Sequence, residues 1–185
     1  MTMKKIIFVF LLFIVTISLY SQKIPHPKNS MLYTEFTAYK SALYLKKPIV
    51  SSGYIAMNGL DKFIFKQTKP IVIEVKKREN RMFFKREGMN EIEISGNNDN
   101  SDNIAFLFST NEDDLKKNFK IEQITTNGKQ KYTVTPFKPT KVEKIEVIGI
   151  DDKIENIKIF FKDKSTILYE FKNTITGTSP NEKYF

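Results

Sequence analysis

The chain has 185 residues, a formal net charge of +9, 16 Phe and 8 Tyr, and neither cysteine nor tryptophan. Its length suits one domain. The lack of cysteine excludes disulfides, thiol catalysis, cysteine-held metals and a lipid-modified cysteine as a membrane tether. The only histidine, His26, sits between Pro25 and Pro27 away from any scaffold, so a Ser-His-Asp triad and a His-based zinc site are excluded as well.

The first 21 residues have the pattern of a secretory signal. Lys4 and Lys5 precede an almost unbroken apolar run from Ile6 to Leu19, and Ser21 is a small residue at the expected cleavage point. The run is short for a membrane span of about 20 residues. Residues 1–21 are therefore expected to be removed, which leaves a charge of +7 on an exported chain. In a Gram-negative cell the product is periplasmic, and nucleic acid is not an expected partner. Two readings of the positive charge remain: attraction to anionic headgroups, or a solvated surface. The lysines are spread along the chain and only Arg78, Arg81 and Arg86 are arginines, which favours the second.

Residues 22–31 form a leader broken by Pro25 and Pro27, and residues 32–185 form the folded domain. Within it, β-rich runs alternate with turn residues. Asn58-Gly59 and Asn127-Gly128 are strong hairpin signals. Weaker turns fall at Glu79-Asn80, Gly88-Met89-Asn90, Asp151-Asp152-Lys153 and Asp163-Lys164-Ser165. About eleven strands are predicted, at 32–45, 51–57, 62–68, 71–78, 81–86, 91–95, 119–126, 129–136, 141–150, 154–162 and 165–172. Such short connections mean an antiparallel meander. The stretch from Ser95 to Asn103 is a polar loop, followed by the apolar run Ile104–Phe108. Ser109-x-x-Glu112 then has capping-box spacing. Asp113 and Asp114 near the start, and Lys116 and Lys117 near the end, suit the dipole of a short helix over Thr110–Phe119.

Alternation predicts one apolar and one polar face. Phe63, Phe65 and Gln67 share a face, as do Ile71, Ile73 and Val75, and Tyr132, Val134 and Pro136. Ile157, Ile159 and Phe161 form another such set, and Ile167, Tyr169 and Phe171 another. The fold class is mainly β: a sheet of this width must twist and curl, and its concave apolar face needs a filling. The short helix and the Ile104–Phe108 run are the available cover. The wealth of Phe and Tyr suggests a lining wider than a minimal core.

Several landmarks fall in the order seen in the LolA family of outer-membrane lipoprotein carriers. Ser51-Ser52-Gly53-Tyr54-Ile55 resembles the family's second strand. Phe63-Ile64-Phe65 with Pro70 five residues on resembles its Phe-x-Trp strand, with Phe65 in place of Trp. Tyr132-Thr133-Val134-Thr135-Pro136 is similar to its hydrophobic-x-Pro strand end, and Ile154 to Phe171 with Asn173 to its late hairpin. The resemblance covers residues 32–185. It implies a single curved sheet forming an unclosed barrel, or half-barrel, under a short helical lid. It also implies a monomer that carries the acyl chains of lipoproteins or lipids towards the outer membrane, between inner-membrane release machinery and an outer-membrane acceptor. Two features depart from the family. The prolines of Gln22–Ser30 leave no room for its first helix, and Gly59-Leu60 stands where an Arg-Pro pair is usual, so its arginine latch is absent.

Alternation and family position together assign Phe36, Tyr54, Phe63, Phe65, Ile73, Phe84, Tyr169 and Phe171 to the cavity lining. Phe106, Phe108, Leu115 and Phe119 are assigned to the lid. No catalytic residue, cofactor or metal is expected. Asp113-Asp114 fits a helix start, Asp151-Asp152 fits a turn, and the acidic loop Asn97–Asp102 lacks an EF-hand pattern. The alternative function is an envelope sensor or binding module on the same half-barrel; a purely structural envelope protein is a third reading.

Overall fold

The computed structural model describes residues 31–59, 62–78, 81–94, 104, 108, 112–150 and 153–177. The first six strands are β1 (Met31–Ser41), β2 (Ile49–Asn58), β3 (Lys62–Lys69), β4 (Ile73–Arg78), β5 (Arg81–Arg86) and β6 (Ile92–Ile94). A short helix, α1 (Glu112–Asn118), leads directly into β7 (Phe119–Thr126). The remaining strands are β8 (Lys129–Pro136), β9 (Val142–Ile150), β10 (Lys153–Phe161) and β11 (Thr166–Thr176). All eleven strands lie in one antiparallel sheet that does not close into a barrel, in the order β6-β5-β4-β3-β2-β1-β11-β10-β9-β8-β7. Two meanders are thus joined back to back by the β1–β11 pair, whose register runs from Leu32↔Thr176 to Ser41↔Thr166.

Local chemistry explains most of the boundaries. At the β7–β8 turn Asn127 has φ 52° and Gly128 φ 75°, the two left-handed conformations that a type I′ turn requires. At the other Asn-Gly pair only Gly59 is left-handed, with φ 64°, because Asn58 still pairs with Lys62 at the end of β2. β1 stops at Ser41, short of the predicted residue 45, since Leu45 N turns back to donate to Ala42 O at 3.0 Å. β11 runs on to Thr176 beyond a bulge against β1, where Asn173 takes φ 55°. Thr34, buried at this bulge, is satisfied by Thr174 Oγ1 at 2.7 Å and Lys172 O at 3.3 Å. The predicted helix is shorter than expected, and Phe119 is the first residue of β7 rather than the last of α1. The leader lies outside the described residues except for Met31, which opens β1, and so do the Glu79-Asn80 and Asp151-Asp152 turns and the capping residues Ser109–Asn111.

The ladders bend into a trough. β3 and β11 are separated by β2 and β1, so in a flat sheet they would stand about 14 Å apart at about 4.8 Å per step. The ring centroids of Phe65 and Tyr169 are nevertheless only 6.5 Å apart. Small residues make this convergence possible. Gly53 pairs with Phe36, and Ala38 pairs with Tyr169, which leaves room beside these two small residues for the rings to lean together. Gly53 also sits at a β2–β3 bulge so close to the Lys66 carbonyl that a Cβ could not be placed there. The core is the concave face: Ile55, Met57, Phe63, Val75, Tyr132, Val134, Ile145, Ile157 and Ile159 are all at most 1% exposed.

Candidate functional site

The floor of the trough is an aromatic cluster built by register. Phe36 on β1 stacks on Phe65 of β3 at 4.9 Å and meets Tyr169 of β11 edge-on at 5.6 Å. Tyr169 in turn stacks on Phe171, two residues along the same face, at 6.5 Å. Such offset and edge-on arrangements suit the ring quadrupoles. The Tyr169 phenol is pushed up to about 12 by burial, and its side chain is only 9% exposed.

A helical cover lies over this floor. Ile104 and Phe108, one helical turn apart and both in helical conformation, are 0% and 4% exposed. The Phe108 ring stacks on Phe63 at 6.5 Å and meets Phe171 edge-on at 6.1 Å. It therefore bridges β3 and β11, the two walls of the trough. Leu115 of α1 and Phe119 at the start of β7 are buried with the same cluster. Asn118 Nδ2 donates to Asp114 O at 2.8 Å, and Phe137 N donates to Asn118 O at 3.0 Å, which anchors the end of α1 to the β8–β9 connection.

The convex face is charged and cross-linked. Glu74 accepts from Lys66 at 3.2 Å and Lys76 at 3.0 Å, and Lys76 reaches Glu91 at 2.6 Å. Burial raises the Glu74 pKa, but the two lysines outweigh it and the carboxyl falls below its ordinary value. Glu146, between Lys144 at 2.8 Å and Lys131 at 3.1 Å, is lowered by the same balance. A cavity of about 370 Å³ also opens on this face around Gly53, lined by Tyr33, Glu35, Tyr54, Thr68, Lys69 and Lys172 among others. Its Glu35 carboxylate already accepts from Asn173 Nδ2 at 2.8 Å. This notch opens on the opposite side of the sheet from the aromatic trough and mixes the rings of Tyr33 and Tyr54 with charged and hydroxyl side chains.

The structure brings together most of the residues predicted to line the cavity. Phe36, Phe63, Phe65, Tyr169 and Phe171 form the floor, and Val75 carries the face on to Phe84. Ile73 shares that face but stands half-buried near its end. Tyr54 is a correction. It pairs with Glu35 and Lys66, so it points to the convex side, where its ring lies 5.7 Å from Tyr33. Of the predicted lid, Phe108, Leu115 and Phe119 are buried against the trough, and Phe106 lies outside the described residues. The sequence reading missed Ile55, Met57 and Met82. The cross-strand pairs Ile55↔Phe65 and Met57↔Phe63 place the first two beside the named aromatics. Met82 lies opposite Lys77, itself opposite Phe63. Among the described residues no cluster of potential metal ligands is found, and no helix is long and apolar enough to cross a membrane.

No protein-family model matches the chain, and no curated protein matches it. Solved structures do. A LolA superfamily protein from Nitrosomonas europaea superposes with a TM-score of 0.53 at 8% identity, over 86% of this chain and 90% of that one. A DUF1329 family protein from Desulfovibrio piger gives a TM-score of 0.50 at 13% identity, over 87% and 91%. Identities this low speak for architecture alone: the chain carries a divergent LolA-like fold.

Proposed function

We propose that the chain is a periplasmic carrier that holds the acyl chains of a lipid or lipoprotein in its concave face and conveys them towards the outer membrane. The observation that supports this reading is the aromatic trough with a helical cover, Phe108 seated between Phe63 and Phe171. Burying hydrocarbon contributes about 0.8 kcal/mol per CH₂, so one long acyl chain costs on the order of 10 kcal/mol to expose to water. A carrier meets that cost with apolar surface alone and needs no catalytic group. If the helical segment swings aside, the rings of Phe36, Phe63, Phe65 and Phe171 become the receiving surface, and the Tyr169 hydroxyl is a polar group available to an ester carbonyl.

The test is extraction of the exported chain, purified without detergent, followed by mass spectrometry of the extract. Bound phospholipid or acylated peptide is expected, and Phe65→Asp and Phe108→Asp are each expected to lose it while keeping a β-sheet circular dichroism spectrum. A lipid-free native chain, or retention unchanged in both variants, would overturn the reading. Bound lipid that is never passed to an acceptor membrane would instead assign the chain to the binding-module class.

A further inference from the structure

The two ends of the sheet differ in chemistry. Because neighbouring strands are antiparallel, the connections β1–β2, β3–β4, β5–β6, β8–β9 and β10–β11 all emerge at one end. Hydrogen bonds tie neighbouring connections together: Glu87 N donates to Val72 O at 2.9 Å, and Lys162 N donates to Lys141 O at 3.0 Å. At this end Leu43 is 85% exposed, Tyr44 79%, Phe137 62% and Met89 52%, and Ile71 and Val72 are exposed too. Isolated exposed apolar residues are ordinary, but these sit on four connections that share one rim.

The same rim is cationic. The stretches 42–48, 69–72, 86–91, 137–141 and 162–165 hold eight basic residues against three acidic ones, and Lys46, Lys47, Lys138, Lys162 and Lys164 are exposed. At the opposite end the described turns, Asn58-Gly59 and Asn127-Gly128, carry no large apolar side chain, and the exposed Ile124 and Ile175 near it lie on strands rather than on connections.

We infer that this rim is a docking surface for an anionic lipid bilayer, with the apolar tips entering the headgroup layer and the lysines meeting lipid phosphates. Exposed apolar tips on the same connections as exposed lysines are what an interfacial contact with anionic lipid requires. Lysine, a flexible and strongly hydrated point charge, suits a diffuse phosphate surface better than a fixed bidentate partner. The inference goes beyond acyl binding, since the rim is separate from the aromatic trough and docking is measurable with or without cargo.

Flotation of the full exported chain with phosphatidylcholine vesicles, with and without phosphatidylglycerol, tests it. Binding is expected only to the anionic vesicles and is expected to fall with added salt. The double variant Lys46→Glu/Lys47→Glu should weaken it by more than about tenfold. Leu43→Asp/Met89→Asp should do the same with lipid retention intact, whereas Lys129→Glu at the far end should bind as the native chain does. Equal binding to neutral vesicles, no binding, or rim variants that behave like the native chain would overturn the inference. So would a dimer that Leu43→Asp/Met89→Asp dissolves in a chain that ignores vesicles, which would assign the rim to a second copy.

Discussion

The two wings of the sheet follow the same alternation but are finished to different degrees. In β8, β9 and β10 the concave positions Val134, Ile145, Val147, Ile157 and Ile159 are β-branched, and none is more than 2% exposed. In β4, β5 and β6 Val75 is equally buried, but Ile73, Met82 and Phe84 are half-buried and Ile92 is 48% exposed. Side chains stiff at χ1 settle into one fixed layer, whereas Met82 is adaptable and the residues towards the β6 edge keep apolar surface in water. One wing is closed like a core and the other leaves apolar surface half-exposed, and an apolar partner of any kind gains most where side chains are still half in water.

Paired substitutions test that distinction most strongly. Ile159→Ala opens a hole in the finished wing and is expected to cost about 3–4 kcal/mol by chemical denaturation. Phe84→Ala is expected to cost only about 1–2 kcal/mol, since less area is lost from a half-buried site, yet to reduce lipid retention further. The opposite ranking would erase the difference between the wings. Gly53→Ala, where the two wings are drawn together over β2, forces the new methyl onto the Lys66 carbonyl and should cost about 2–3 kcal/mol.

Ionisation probes the aromatic floor next. The Tyr169 pKa of about 12 in the folded chain exceeds its ordinary 10.0. The folded state therefore holds a proton that the unfolded state releases, and stability falls as pH rises from 10 towards 12, by about 2–3 kcal/mol. Tyr169→Phe should remove that contribution, as comparison of the two alkaline denaturation curves will show. The smallest effects belong to the convex ion clusters. Glu74→Gln and Glu146→Gln should each cost less than about 1 kcal/mol. Because both carboxyls are lowered in the folded chain, their contribution is present above the ordinary value of 4.5 and is lost as pH falls through the folded pKa.

Strand identity was legible wherever one face is apolar and the other polar. Phe63 and Phe65 against Lys62 and Lys66 fix β3, and Asn127-Gly128 fixes the β7–β8 turn, because both signals are local. Tyr54 was misplaced because β2 is apolar on both faces, with Tyr54 and Ala56 on one side and Ile55 and Met57 on the other. There the face is decided by pairing with β1 and β3, and pairing across strands is not written in β2 alone. Phe119 satisfies the spacing of α1 and the alternation of β7 equally well, so only its junction was in doubt and not its burial. The basic rim was hidden for a different reason. Its lysines come from connections up to about a hundred residues apart, and they look spread along the chain until the meander gathers them at one end.

The sheet's failure to close has a mechanical consequence. In a complete barrel, strand number and stagger set the radius, and widening it means breaking ladder bonds. Here β6 and β7 end the sheet without meeting each other, so no such ring constrains the girth of what is held. A change of twist alone widens or narrows such a trough, with every interstrand ladder left whole.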